Sequence, residues 1–173
     1  MDRVGELNPR PHREVVVATT VVDHSALKVN QTGIVATVLV AFIGSAFGRP
    51  FLVLLPLLAV VLLVGTFAPQ WALFKQLYFR ILKPSGIVKP RPVQDRPEPH
   101  NFAQGMGGVV VAVASLFVFA PLLTGDFRTS PTLGIGLALS LLVAVLAFVN
   151  LAFGYCLGCQ IYYRLGRAGL IRA

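Results

Sequence analysis

The chain has 173 residues, of which 55% are hydrophobic and 13% charged, and its mean hydropathy is +0.75. A soluble domain of this length has too little interior to bury so much apolar surface, so the composition excludes an ordinary soluble globule. The net charge of +8 does not indicate a nucleic-acid partner, because the basic segments are short and contain no recognisable nucleic-acid-binding module.

The chain opens with a polar arm, residues 1–22, whose later part is rich in valine and threonine. This polar start argues against a cleavable signal peptide, and we expect the first apolar run to act as its own insertion signal. Asp23 and Ser25 precede that run and are predicted to cap the first helix.

Four runs contain no Asp, Glu, Lys or Arg, and each is long enough to cross a bilayer. About 20 residues of helix span a hydrocarbon core of about 30 Å, and lipid forces each run to satisfy its backbone hydrogen bonds internally. The sequence therefore predicts an all-α membrane protein with four transmembrane helices. The runs are Val29–Gly48, Phe51–Phe74, Asn101–Gly125 and Thr129–Tyr163.

The four spans are predicted to form two tandem hairpins. Residues 23–83 would form the first, with an interfacial helix end, and residues 100–173 the second, with a basic tail. Residues 84–99 hold five prolines and are predicted to be an extended cytoplasmic linker. Gln76–Leu82 and Gln160–Gly166 share a Gln-aliphatic-Tyr-aromatic-Arg-aliphatic pattern, which favours a parallel internal repeat. The alternative is that membrane interfaces simply favour these residue types.

Basic residues are distributed unevenly between the two sides of the predicted bundle. The positive-inside rule places the richer side, and with it both termini and the linker, in the cytoplasm, where lipid headgroups would be the partner. The other side holds only Arg49 and Arg128. The richer side holds Arg3, Arg10, Arg13, Lys28, Lys75, Arg80, Lys83, Lys89, Arg91, Arg96, Arg164, Arg167 and Arg172.

Small residues at helical spacing predict close helix contacts, and an intramembrane amide is expected to bond to a neighbouring helix. The predicted packing positions are Gly44, Gly48, Gly105, Gly108, Asn150, Gly154 and Gly158.

Cys156 and Cys159 are the only cysteines, and they lie at the end of the fourth run. At positions i and i+3 of a helix they would share a face, close enough for a disulfide or for two metal ligands. A redox dithiol, a sulfur relay and half of a metal site are all open. Against reactivity, we predict that the pair lies near a helix C-terminus, where the dipole opposes the thiolate, and a reducing cytoplasm does not favour a lasting disulfide. The alternative is that both cysteines are small apolar packing residues.

His24 and His100 precede spans one and three, on the predicted side of the cysteines. Together with Cys156 and Cys159 they could form a Cys₂His₂ set that suits zinc. The simpler interpretation of each histidine is an interfacial or capping residue. No carboxylate, Lys, Arg or His lies within any of the four spans, which argues against a proton-coupled transporter.

The run Asn150–Tyr162, together with Phe102–Ala103–Gln104, resembles a bacterial membrane-protein family described as domain of unknown function 4395. The resemblance implies a four-helix protein of the bacterial inner membrane and singles out Cys156 and Cys159. It implies no established reaction.

Two functional hypotheses follow, and neither names a cofactor. The first is a non-enzymatic accessory or scaffold subunit that packs against other membrane subunits. The second is a cytoplasm-facing dithiol protein that handles electrons, sulfur or a metal through Cys156 and Cys159.

Overall fold

The computed structural model describes residues 20–124 and 131–171 and shows an all-α fold. Four helices are long and apolar enough to cross a membrane, as the uncharged runs predicted. The predicted external loop around Arg128, most of the N-terminal arm and the last two residues lie outside the described part of the chain.

The first half of the chain has two long helices, with a 3-10 turn between them and shorter elements after them. Helix α1 (His24–Ser45) begins at Asp23, whose carboxylate accepts from the Ser25 N–H at 3.0 Å, so this predicted cap is confirmed. A 3-10 turn (Arg49–Val53) leads into α2 (Leu54–Phe67). A second 3-10 turn (Pro69–Trp71), the short helix α3 (Leu73–Leu77) and a π-helical turn (Tyr78–Leu82) follow.

The second half of the chain has three helices. Helix α4 (Pro97–Thr124) is the longest and contains Pro121, and α5 (Pro131–Phe153) is the fourth span. Helix α6 (Leu157–Arg167) is a separate amphipathic helix that packs against α4.

The four long helices form a ring in which α4 packs against α2 and α5, and α1 packs against α5 and α2. Buried apolar residues from all four fill the centre, while others such as Val40, Leu116 and Val145 are exposed on the outside, as a lipid environment requires. The tandem arrangement of hairpins stays a prediction. The core residues include Ile34, Val38, Leu55, Leu58, Leu62, Val111, Val118, Val143 and Ala147.

A two-stranded antiparallel ribbon closes one end of the bundle. Strand β1 (Thr20–Asp23) pairs with β2 (Pro92–Asp95), with Thr20 opposite Asp95 and Asp23 opposite Pro92. The predicted linker is therefore extended over β2, but it is held by the end of the arm and not by polyproline stiffness alone. We call this end of the molecule the ribbon end.

Candidate functional site

The fourth span ends earlier than the apolar pattern suggests, because the helix breaks at Gly154. Its φ of 69° is a left-handed conformation that favours glycine, and its N–H donates to the Asn150 carbonyl at 2.9 Å. Helix α5 stops at Phe153, and α6 begins after Cys156. The prediction that the cysteines lie near a helix C-terminus is wrong: they lie at the N-terminus of α6.

Cys156 is the N-cap of α6, and the structure joins it to Cys159 in a disulfide with Cα atoms 5.2 Å apart. The Cys156 sulfur accepts from the Cys159 N–H at 3.2 Å, as a capping side chain does. The positive end of the helix dipole and the unpaired N–H groups of the first turn favour a thiolate here. Cys159 is 9% exposed and Cys156 is half-buried, so Cys156 is the more accessible of the two cysteines.

Helix α6 lies close to the start of α4 because Gly158 has no side chain. A Cβ atom at this position would stand 2.7 Å from the Ala103 Cα atom, much too close for a real contact. This approach brings the first turn of α6 beside His100, one turn before Ala103 in α4.

His100 connects the disulfide to a carboxylate. Its Nδ1 atom lies 3.7 Å from the Cys159 sulfur, and its Nε2 atom lies 3.1 Å from Asp95 Oδ2. A carboxylate only accepts hydrogen bonds, so Nε2 carries the hydrogen and a neutral His100 presents the Nδ1 lone pair to the sulfur. Asp95 thus orients an imidazole base toward Cys159.

Asp95 is held in its ionised form by its neighbours. Burial acts to raise its pKa, but hydrogen bonds from His100, the Arg96 N–H and His24 outweigh burial, and the pKa lies below its usual value. The Arg96 N–H donates to Asp95 Oδ1 at 2.7 Å. This bond fixes the orientation of the carboxylate, so that its other oxygen, Oδ2, faces the two histidines.

His24 is the second histidine that contacts Asp95. Its Nε2 donates to the same carboxylate oxygen at 3.3 Å, and its ring centroid is 6.3 Å from that of His100. Among the described residues, ligand atoms of His100, Cys156 and Cys159 lie within 4.8 Å of one another, and this close group does not include His24. The geometry therefore offers three of the four predicted zinc ligands at one point.

Asp23 and Tyr78 anchor the ribbon that carries Asp95. The fully buried Tyr78 hydroxyl donates to Asp23 Oδ2 at 2.8 Å, and the Arg91 N–H donates to Oδ1 at 3.1 Å. Burial and the bond to Asp23 raise the pKa of Tyr78. Burial acts to raise the pKa of Asp23 as well, but the bonds from Tyr78 and from the Arg91 and Ser25 N–H groups lower it overall.

A cavity of about 150 Å³ leads from the disulfide into the helix ring. It is lined by Cys156, His100 and apolar residues of α1, α2, α4 and α5. Carboxamides also face it, among them those of Asn30, Gln104 and Asn150. The predicted packing residue Asn150 is thus a cavity residue.

The predicted packing glycines have different environments. Three of them lie against neighbouring elements, because an added Cβ atom would touch another side chain. The neighbour is Thr66 for Gly105, Leu63 for Gly108 and the Phe51 ring for Gly44. Gly154 has open space around it and serves as a helix terminator, not as a packing residue. Gly48 meets only Pro50, two residues further along the chain.

The sequence pattern identified Cys156, Cys159 and His100 as candidates but missed Asp95 and Tyr78. Both belong to contacts between distant parts of the chain, because Asp95 reaches His24 across the ribbon and Tyr78 reaches Asp23 from beyond α2. The valine- and threonine-rich segment before Asp23 was the one signal for a strand here.

A family model described as domain of unknown function (DUF4395) matches residues 22–167 of the chain. No curated protein and no solved structure matches it. The matched range covers the second half of β1, all of β2, the four long helices and α6.

Proposed function

The chain belongs to the family described as domain of unknown function DUF4395, and from its geometry we propose that it is a membrane thiol–disulfide oxidoreductase with Cys156 and Cys159 as its redox pair. The observation that carries the proposal is the disulfide at the N-terminus of α6 with His100 and Asp95 aligned behind the buried sulfur.

The arrangement gives the two sulfurs different roles. Reduced Cys156, the more accessible, attacks a substrate disulfide as a thiolate stabilised by the start of α6, and the substrate's first sulfur leaves as a thiolate. A mixed disulfide between Cys156 and the substrate remains.

Cys159 then resolves the mixed disulfide. Its thiol proton passes to His100 Nδ1, and the new thiolate attacks the Cys156 sulfur. The Cys156–Cys159 bond forms, the second substrate thiolate leaves, and two electrons have moved from the dithiol to the substrate. Asp95 stabilises the imidazolium formed during this step. Because each step is reversible, the same residues would also oxidise a dithiol.

The distribution of basic residues supports a cytoplasmic position for this end of the molecule. Lys89, Arg91 and Arg96 belong to the ribbon end, and Arg164 and Arg167 lie in the last turn of α6. A bacterial inner membrane with both termini in the cytoplasm is therefore part of the proposal. In that compartment the disulfide would be a transient state of a cycle and not a structural cross-link.

The test uses the full chain, purified in detergent, reduced, and mixed with glutathione disulfide. The native protein is expected to form the Cys156–Cys159 disulfide, while Cys159→Ser should accumulate glutathione on Cys156, because nothing resolves the adduct. Cys156→Ser should react much more slowly, since Cys159 is nearly buried. Equal reactivity of the two single variants, or no reaction of the native protein, would refute the proposal.

Zinc binding is a second candidate, supported by the three ligand atoms of His100, Cys156 and Cys159. Two thiolates and an imidazole are typical zinc ligands, and the pair would have to be reduced to bind. Metal analysis of reduced protein should then find one zinc per chain, and Cys156→Ser should lose it. Equal metal content in the two proteins would refute this candidate. The accessory-subunit hypothesis stays a prediction, because no contact among the described residues bears on it.

A further inference from the structure

We infer that the cavity behind the disulfide binds the ring of a quinone, and that the quinone takes the two electrons of the Cys156–Cys159 pair. The inference rests on the proposed function and names the electron partner of the same site.

The cavity has the size of a single six-membered ring. Its volume is about 150 Å³, and an apolar protein cavity of about that volume holds a benzene molecule. The space is therefore too small for a folded peptide substrate but large enough for a quinone ring.

The cavity extends from the redox pair into the part of the bundle formed by the membrane-spanning helices. Ile34, one of its walls, is about ten residues into α1, which is roughly 15 Å along a helix that rises about 1.5 Å per residue. Leu142 and Leu146 line it from α5. Cys156 and His100 line the same cavity, so a ligand bound in it would meet the more accessible cysteine and the proposed base together.

Polar groups in the cavity match the two carbonyl oxygens of a quinone. Asn30 is 6% exposed, and its amide donates to the Gln104 carbonyl at 3.5 Å, while the Gln104 amide donates to the Leu62 carbonyl at 3.0 Å. A carboxamide NH₂ has two N–H donors, so Asn30 can also donate to a ligand carbonyl. Lys75 lines the same cavity and offers a cation that favours the charge of a reduced ring.

The reaction balances without a further reactant. The dithiol gives up two electrons and two protons and becomes the disulfide, and the quinone gains both to become a quinol. The Cys156 thiolate, whose proton has passed to water, adds to a ring carbon. The Cys159 thiolate then attacks the Cys156 sulfur, the carbon–sulfur bond breaks, and the ring leaves with both electrons and takes one proton from water. His100 receives the Cys159 proton and can return it to a quinol oxygen.

The experiment uses the full-length protein in detergent, reduced and freed of reductant, and ubiquinone-1 under anaerobic conditions. The ring of this probe is fully substituted, so simple thiol addition does not consume it. The loss of quinone absorbance and the mass of alkylated protein report the quinone reduced and the disulfide formed. We expect one quinone reduced for each disulfide, and none with Cys156→Ser.

Two glycines provide matched variants. Gly107 lines the cavity, and its added Cβ would be 3.7 Å from Val143, so Gly107→Leu fills the space without a backbone clash. Gly134 has open space around it, so Gly134→Leu is the control. For each variant we compare the rate with ubiquinone-1 to the rate with glutathione disulfide. This ratio should fall roughly tenfold or more in Gly107→Leu, because the leucine occupies the space of the quinone ring. It should stay within about twofold in Gly134→Leu, because that leucine lies outside the cavity.

The possible outcomes separate the two proposals. Reaction with glutathione disulfide but none with ubiquinone-1 would overturn the quinone site and leave the oxidoreductase proposal standing. Reaction with neither would overturn both. If Gly107→Leu does not fold, Asn30→Leu takes its place, and an unchanged rate ratio in that variant would overturn the assigned cavity.

Discussion

His100→Gln gives the sharpest prediction about the proposed mechanism. The glutamine amide can still donate to Asp95 but cannot accept a proton, so the variant removes the base and keeps the hydrogen bond. A general base contributes about 10²- to 10⁴-fold, and a sulfur 3.7 Å from Nδ1 places this one at the lower end. We therefore expect Cys159 to resolve the mixed disulfide about 100-fold more slowly, equivalent to about 2.7 kcal/mol of activation free energy.

The assay preforms the glutathione adduct on Cys156 and follows its decay by mass spectrometry after acid quenching. The difference from native protein should shrink toward about pH 10, because an ordinary thiol with a pKa of about 8.5 then ionises without a base. His24→Gln is the matched control, since His24 also donates to Asp95 but does not belong to the close group of His100, Cys156 and Cys159. Equal slowing by the two variants, or a pH-independent difference, would refute the role of His100.

Three further predictions concern the support of the site. Tyr78→Phe removes a buried hydrogen bond to the Asp23 carboxylate and should lower the free energy of unfolding by about 1.5–3 kcal/mol; an unchanged melting temperature in detergent would contradict this. Because their pKa values are lowered from 3.8, Asp23 and Asp95 stabilise the fold above that pH and lose this contribution as the pH falls through their folded values. Asp95→Asn should therefore flatten the acid-side fall of the melting temperature, and an identical slope would argue against the linkage. Gly154→Ala forces a left-handed alanine, costs about 1–2 kcal/mol and should slow exchange with glutathione disulfide; Gly134→Ala, inside the preceding helix α5, should not.

The membrane spans could be predicted from the sequence because the absence of charge over about 20 residues is a strong and local signal. The cap at Asp23 was also local. The break in the fourth span was missed because apolar residues continue on both sides of Gly154. A glycine inside an apolar helical pattern is as typical of close helix packing as of a helix end, so Gly154 alone did not distinguish the two.

The break at Gly154 places the cysteines at the start of α6. It therefore also decides which end of a helix dipole acts on their sulfur atoms. Placing Cys156 inside one long helix predicted a disfavoured thiolate, whereas its place as the N-cap of α6 favours one. Asp95 lies only five residues before His100, but no sequence motif marked it as the partner of that histidine. Its contact with His24 could not be predicted, because it depends on the pairing of β1 with β2, which brings together segments separated by about 70 residues.

The central claim is that Cys156 and Cys159 form a reversible redox pair, and differential alkylation in native membranes tests it most directly. Membranes would be equilibrated in reduced or oxidised glutathione, alkylated with a reagent of known mass, and the full chain then weighed. We predict two labels after reduction, none after oxidation, full reversal between the two states, and faster labelling of Cys156 than of Cys159. Cysteines that remain unlabelled under reduction, or that remain labelled equally under both conditions, would contradict the account.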